Sequence, residues 1–85
     1  FGASIAAPAE VERIDGRGSV VMPAGVDAQT HLRVPGQSHK ETPETGLMAA
    51  LKGGYCAVLT MPNTQPTIDS VEVLEKGRAE VKPFE

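Results

Sequence analysis

The order of apolar and polar segments predicts an α/β fold with parallel strands. Residues 24–33 and 55–61 have the features of strands, and each is followed by a polar loop and a segment with helical features. Strands that alternate with helices of this length are typical of parallel sheets. Polar residues follow each predicted strand. That is the sheet edge where α/β barrels and doubly wound sheets both place their sites.

Composition narrows the possible function classes. The 85 residues carry a formal net charge of −3 and 22% charged residues, which is typical of a mildly acidic globular protein. No cluster of Lys and Arg favours nucleic-acid binding. No apolar run approaches the roughly 20 residues of a membrane-spanning helix. Since the first residue is Phe1 and not Met, we expect the chain to be an internal piece of a longer polypeptide.

Residues 1–23 are predicted to form part of a small β-domain. Residues 9–14 alternate weakly and residues 19–22 form a short β-branched run, so both are predicted strands. The sequence DGRG at 15–18 is typical of a turn between them. Pro23 ends the second strand, and residues 24–85 are predicted to form two successive βα units.

The predicted strand at residues 24–33 carries a line of polar side chains. Its period of two directs four of them to one face: Asp27, Gln29, His31 and Arg33. His31 is either a hydrogen-bonded structural histidine or a metal ligand. Arg33 either binds a substrate carboxylate through two parallel hydrogen bonds or forms an ordinary salt bridge. Asp27 either orients a neighbouring side chain or caps a turn.

Strong local signals predict the first helix. The sequence Thr42-Pro43-Glu44 supplies a hydroxyl cap, a proline at the first helical position and an acid in the first turn. Gly53-Gly54 ends the helix. Gly46 lowers helix propensity by about 1 kcal/mol relative to Ala, which predicts a close packing contact at that position.

The second βα unit begins with a near-continuous apolar run, YCAVLTM at residues 55–61. This run predicts a strand buried on both faces, with Cys56 as a buried, unreactive thiol in a reducing compartment. Asn63 follows in a polar turn and offers an amide donor and acceptor. Asp69 with Glu72 predicts a capping box for the second helix, which Pro83 closes.

Several short motifs, taken in order, resemble the dihydroorotase family of the amidohydrolase superfamily. The sequence PAGVD at 23–27 resembles that family's entry into its first barrel strand. The sequence QTHLR at 29–33 falls where the family carries His-x-His-x-Arg, and MPNT at 61–64 resembles its second loop. MPNT together with HLR-x-PG favours dihydroorotases over hydantoinase-like relatives. The resemblance implies the early part of a (β/α)₈ barrel, about two of its eight βα units, preceded by strands of a small β-domain.

The resemblance also implies an activity. It implies a cytoplasmic, metal-dependent hydrolase that interconverts N-carbamoyl-L-aspartate and L-dihydroorotate in pyrimidine biosynthesis. In this family one or two zinc ions polarise the scissile carbonyl. His31 is then implied as a metal ligand, and Arg33 and Asn63 as the groups that hold the substrate carboxylate. The general base and the remaining metal ligands are expected outside the 85 residues.

The implied partners follow from the same resemblance. They are the small-molecule substrate, the remainder of the barrel, and either a second copy of the protein or aspartate carbamoyltransferase.

Gln29 departs from the family pattern, because it stands where the first metal histidine is expected. A neutral amide oxygen is a poor zinc ligand beside imidazole. Three outcomes stay open: an enzyme with one metal, an enzyme that uses Gln29 as a weak ligand, or a catalytically impaired structural subunit. A hydantoinase-like or allantoinase-like hydrolase is a further alternative.

Overall fold

The computed structural model describes residues 6–84 and has α/β architecture. Its elements are β1 (Gly25–Thr30), α1 (Pro43–Lys52), β2 (Tyr55–Thr60), α2 (Val71–Val81) and a 3₁₀ turn (Lys82–Phe84). The two strands form a parallel sheet, with Gly25 opposite Tyr55 and Thr30 opposite Thr60. The predicted order of two βα units is therefore confirmed. Over the same residues, no helix combines the length and apolar character that crossing a membrane requires.

Helix α1 confirms the local signals. The Thr42 hydroxyl accepts a hydrogen bond from the Thr45 N–H at 3.3 Å, and the Thr42 N–H donates to the Thr45 hydroxyl at 3.2 Å. This reciprocal pair satisfies amides that the first helical turn leaves free. Gly46 is buried, and a Cβ there would lie 3.1 Å from Cδ2 of Leu32. The predicted close contact at Gly46 is therefore confirmed.

Helix α2 begins one residue later than predicted. Ser70 is the N-cap, and its Oγ accepts a hydrogen bond from the Val73 N–H at 3.4 Å. The prediction of Asp69 as the cap is wrong, because the side chain of Ser70 and not that of Asp69 accepts from the first helical turn. Gly77 is buried in α2, and a Cβ at this position would lie 3.2 Å from the Pro35 ring. Helix α2 therefore packs against the loop that follows β1.

Strand β1 is shorter than predicted. It ends at Thr30, and Arg33 has a left-handed backbone with a φ of 64°. The strand period therefore does not extend over residues 31–33, and the prediction of one continuous polar line was wrong. The side chains of Leu32 and Val34, which are 2% and 3% exposed, form the core beneath this turn.

Residues 6–24 contain no strand, so the predicted strands at 9–14 and 19–22 are wrong. The turn between them is confirmed, because the Ser19 N–H donates to the Gly16 carbonyl at 3.0 Å. The Arg17 guanidinium donates to the Asp15 carboxylate at 2.9 Å and holds the pKa of Asp15 below its usual range. Val21 is 92% exposed. The two segments form no β-ladder with each other, and extended chain without a ladder partner is not a strand.

Strand β2 is exposed along most of its length, with Val58 half-buried. The prediction that Cys56 is buried is wrong, because its thiol is exposed. The reason is that, within residues 6–84, β2 packs only against β1 and α1. An apolar cleft of about 960 Å³ lies between β2 and the two helices, and its lining includes Leu47, Leu51, Ala57, Leu74 and Phe84.

Candidate functional site

Two loops lie side by side at the carboxyl edge of the sheet. The first loop (residues 31–42) follows β1 and the second loop (residues 61–70) follows β2. The Gln65 N–H donates to the Pro35 carbonyl at 3.2 Å. Gly36 has a φ of +84°, and a Cβ there would lie 1.6 Å from the Gln65 carbonyl oxygen. Only glycine fits this crossing, so the backbone itself sets the distance between the loops.

His31 and Asn63 meet where the two loops begin. Nδ1 of His31 lies 2.9 Å from Oδ1 of Asn63, although the residues are 32 positions apart. Because an amide oxygen only accepts hydrogen bonds, Nδ1 carries the proton. The lone pair of a neutral ring then lies on Nε2. His31 is half-buried, whereas Asn63 is exposed.

Arg33 is half-buried in the first loop, two residues after His31. The two ion pairs within residues 6–84 join Arg17 to Asp15 and Arg78 to Glu75. The guanidinium of Arg33 therefore has no carboxylate partner in that part of the chain. A guanidinium held near a strand end without a partner is able to receive a carboxylate ligand in a bidentate geometry.

Asp27 and Gln29 are joined by a local hydrogen bond. Oδ1 of Asp27 accepts from the Gln29 backbone N–H at 2.9 Å. This contact engages one carboxylate oxygen of Asp27 within β1. The role of Asp27 in orienting a metal ligand stays a prediction. Gln29 is exposed. Residues 6–84 contain no cluster of three or more His, Cys, Asp or Glu side chains able to hold a metal.

Thr64 is a residue whose role the sequence did not reveal. Its side chain is buried, at 8% exposure, beside the exposed Asn63. Its Oγ1 lies 2.7 Å from the Pro66 carbonyl oxygen and 3.3 Å from that of Pro62. The hydroxyl therefore holds the second loop in a tight turn that presents Asn63. A threonine between two prolines is the sequence signal that points to such a turn.

Comparison with known proteins identifies the family. A family model described as Dihydro-orotase-like matches residues 18–84. The chain therefore belongs to the dihydroorotase-like family, and the resemblance carried by its motifs is confirmed.

Several bacterial proteins named Dihydroorotase are similar in sequence to this chain. The chain is 46% identical over 71 residues to one from Listeria welshimeri and 47% identical over 79 residues to one from Brevibacillus brevis. It is 43% identical over 76 residues to one from Staphylococcus epidermidis. These alignments cover 84%, 84% and 89% of the chain. The chain spans 17–18% of the length of these relatives.

Proposed function

We propose that the chain is an early barrel segment of a metal-dependent cyclic amidohydrolase that interconverts N-carbamoyl-L-aspartate and L-dihydroorotate. The observation that carries the proposal is the hydrogen bond of 2.9 Å between His31 and Asn63 across two adjacent strand ends. Arg33 lies in the same first loop. The relatives named Dihydroorotase support the choice of substrate.

Arg33 and Asn63 are the proposed substrate-binding groups. Both forms of the substrate carry a carboxylate, which a guanidinium fork and an amide N–H recognise by charge and by geometry. A ring without this carboxylate, such as hydantoin, makes no use of Arg33. The binding group therefore favours dihydroorotate over hydantoin or allantoin.

The imidazole of His31 is suited to coordinate zinc, whereas the side-chain amide of Gln29 is a poor zinc ligand. Metal-bound histidines commonly donate their other ring N–H to an acceptor, and Asn63 accepts from Nδ1 of His31. Gln29 offers only a neutral amide. When bound, zinc would polarise the amide carbonyl of the ring. This chain's contribution is then the Nε2 lone pair of His31 and a fixed carboxylate site beside it.

The rest of the polypeptide supplies the other parts of the proposed enzyme. Residues 24–85 are proposed as the first two βα units of a (β/α)₈ barrel. The cleft of about 960 Å³ between β2 and the helices is apolar and contains neither His31 nor Asn63, so we assign it to packing against further barrel elements. Residues 1–23 are proposed as part of a small β-domain, which the family resemblance implies.

A second candidate function is favoured by one residue. Gln29 removes an imidazole from the position where the family pattern has a metal histidine. A protein that lost tight metal binding in this way would act as a structural subunit in an assembly and not as a catalyst. The guanidinium of Arg33 has no carboxylate partner within residues 6–84, which favours the catalytic candidate, since a structural subunit binds no substrate carboxylate.

The test uses the complete polypeptide to which this chain belongs. Zinc per chain and hydrolysis of dihydroorotate, hydantoin and allantoin are measured in one preparation. Bound zinc with turnover of dihydroorotate alone supports the first candidate. Turnover of hydantoin or allantoin in its place contradicts the substrate assignment. Absence of both zinc and turnover supports the structural subunit.

A further inference from the structure

The side chain of Asn63 has two chemically different ends, and only one is engaged. Its Oδ1 accepts the Nδ1–H of His31 at 2.9 Å. Within residues 6–84, its Nδ2 donates to no protein acceptor, and the residue is exposed. An amide NH₂ has two donor hydrogens, so this end remains available to a ligand.

We propose that Asn63 is a positioning residue that couples the metal ligand to the carboxylate site. Its Oδ1 holds His31 in the tautomer whose lone pair lies on Nε2. Its Nδ2 donates to the carboxylate of an anionic ligand. A bound carboxylate thereby orders the amide that orients the imidazole, so each site favours occupation of the other. This inference rests on the function proposed above.

The second loop is braced in a way that suits this role. The Thr64 hydroxyl reaches the Pro66 carbonyl at 2.7 Å, and the Thr64 N–H donates to the Pro62 carbonyl at 2.8 Å. The Gln65 N–H is bonded to the first loop. Because residues on both sides of Asn63 are fixed, little backbone entropy is lost when its amide engages His31. Such support from neighbouring residues is what holds a functional side chain in a productive geometry.

A simpler interpretation gives Asn63 no function beyond substrate binding, with the contact to His31 incidental. The two interpretations differ in what happens when no substrate is present. If Asn63 positions His31, truncating it weakens zinc binding in the empty enzyme. If it binds only substrate, zinc affinity is unchanged and only the KM for dihydroorotate rises.

Three variants of the complete polypeptide separate these cases. Asn63→Ala removes both ends of the amide. Asn63→Asp keeps an oxygen that accepts from Nδ1 and removes the donor. Gln65→Ala truncates an exposed amide two residues away, and its backbone contact to Pro35 is retained. Zinc affinity is measured by chelator competition without substrate, and the tautomer of His31 by the NMR shifts of its two ring nitrogens.

Asn63→Ala is expected to lower zinc affinity by about 10- to 100-fold and to shift His31 towards a mixture of tautomers. Asn63→Asp is expected to retain the zinc affinity and the tautomer, while its KM for dihydroorotate rises. Gln65→Ala is expected to match the wild type in all three measurements. Thermal unfolding of each variant provides the control for folding.

Two results overturn the inference. One is an Asn63→Ala protein with wild-type zinc affinity and a wild-type His31 tautomer. The other is an Asn63→Asp protein that loses zinc as strongly as Asn63→Ala. Failure of the proposed function is distinguishable, because it is absence of dihydroorotate turnover in the wild type, whatever the zinc affinities of the variants.

Discussion

Replacing Gly36 with alanine tests whether the crossing of the two loops holds the site together. Gly36 has a φ of +84°, and the new methyl group would lie 1.6 Å from the carbonyl oxygen and 2.8 Å from the carbonyl carbon of Gln65. Both are backbone atoms, so no side-chain rotation relieves the overlap. The loops have to separate, and the hydrogen bond of 3.2 Å from Gln65 to Pro35 is lost as they do.

The chain contains a matched control for this substitution. Gly54 has a φ of +82°, but a Cβ there meets nothing within 4 Å. Gly54→Ala therefore carries only the left-handed backbone penalty of about 1–2 kcal/mol. Gly36→Ala carries the same penalty, the strain of overpacking and the lost hydrogen bond. Because of the overpacking and the lost hydrogen bond, Gly36→Ala should lower the free energy of unfolding by about 2–4 kcal/mol more than Gly54→Ala does.

The assay compares the two variants in the complete polypeptide. Chemical denaturation gives the free energy of unfolding, and chelator competition gives the zinc affinity. We expect Gly36→Ala to be the less stable variant and to bind zinc more weakly, because its loops no longer hold His31 beside Asn63. Equal stability and equal zinc affinity for the two variants would refute the reasoning.

Four further substitutions address single interactions of the site. Arg33→Ala should raise the KM for dihydroorotate about 10- to 100-fold, since a hydrogen bond to a charged group contributes about 1.5–3 kcal/mol; unchanged steady-state kinetics in a folded protein would contradict the assignment. Gln29→His should increase the zinc bound per chain, as measured by atomic absorption, and an unchanged zinc content would argue against a metal position there. Thr64→Val keeps the shape but removes the hydroxyl that lies 2.7 Å from the Pro66 carbonyl. It should lower the free energy of unfolding by about 1–3 kcal/mol in chemical denaturation, and wild-type stability would contradict a stabilising role for this hydrogen bond. Thr30→Val should leave stability unchanged or slightly higher, because the buried Thr30 hydroxyl has no hydrogen-bond partner among residues 6–84; a loss above about 1 kcal/mol would contradict this.

Much of the second half of the fold was predictable because its signals are local. Helix α1 begins after Thr42 and ends before Gly53, as the capping residues indicate. The parallel pairing of β1 with β2 follows from the helix between them. Both the cap and the crossover are fixed by residues close in sequence, and local patterns report such features well.

The site was predictable in its residue types but not in its contacts. The period of two predicted that Arg33 continues the strand. Its φ is 64°, and this left-handed conformation is uncommon for residues other than glycine, so no sequence signal predicts it. The bond between His31 and Asn63 depends on how two loops cross, 32 residues apart. The exposure of Cys56 was not predicted for another reason. An apolar run predicts a buried strand, but it does not show which other element buries it.

The packing of Gly77 against Pro35 links the site to the order in which the chain is made. A Cβ at Gly77 would lie 3.2 Å from the Pro35 ring, so the first loop rests on a helix that is synthesised about 40 residues later. A nascent chain released from the ribosome only as far as β2 lacks that support. His31 and Asn63 are then both present, but the helix that packs against the first loop has not yet been made. The first loop therefore reaches its final packing only after α2 has been synthesised and has folded against it. A stalled or truncated product that ends before α2 contains the residues of the site but not their arrangement.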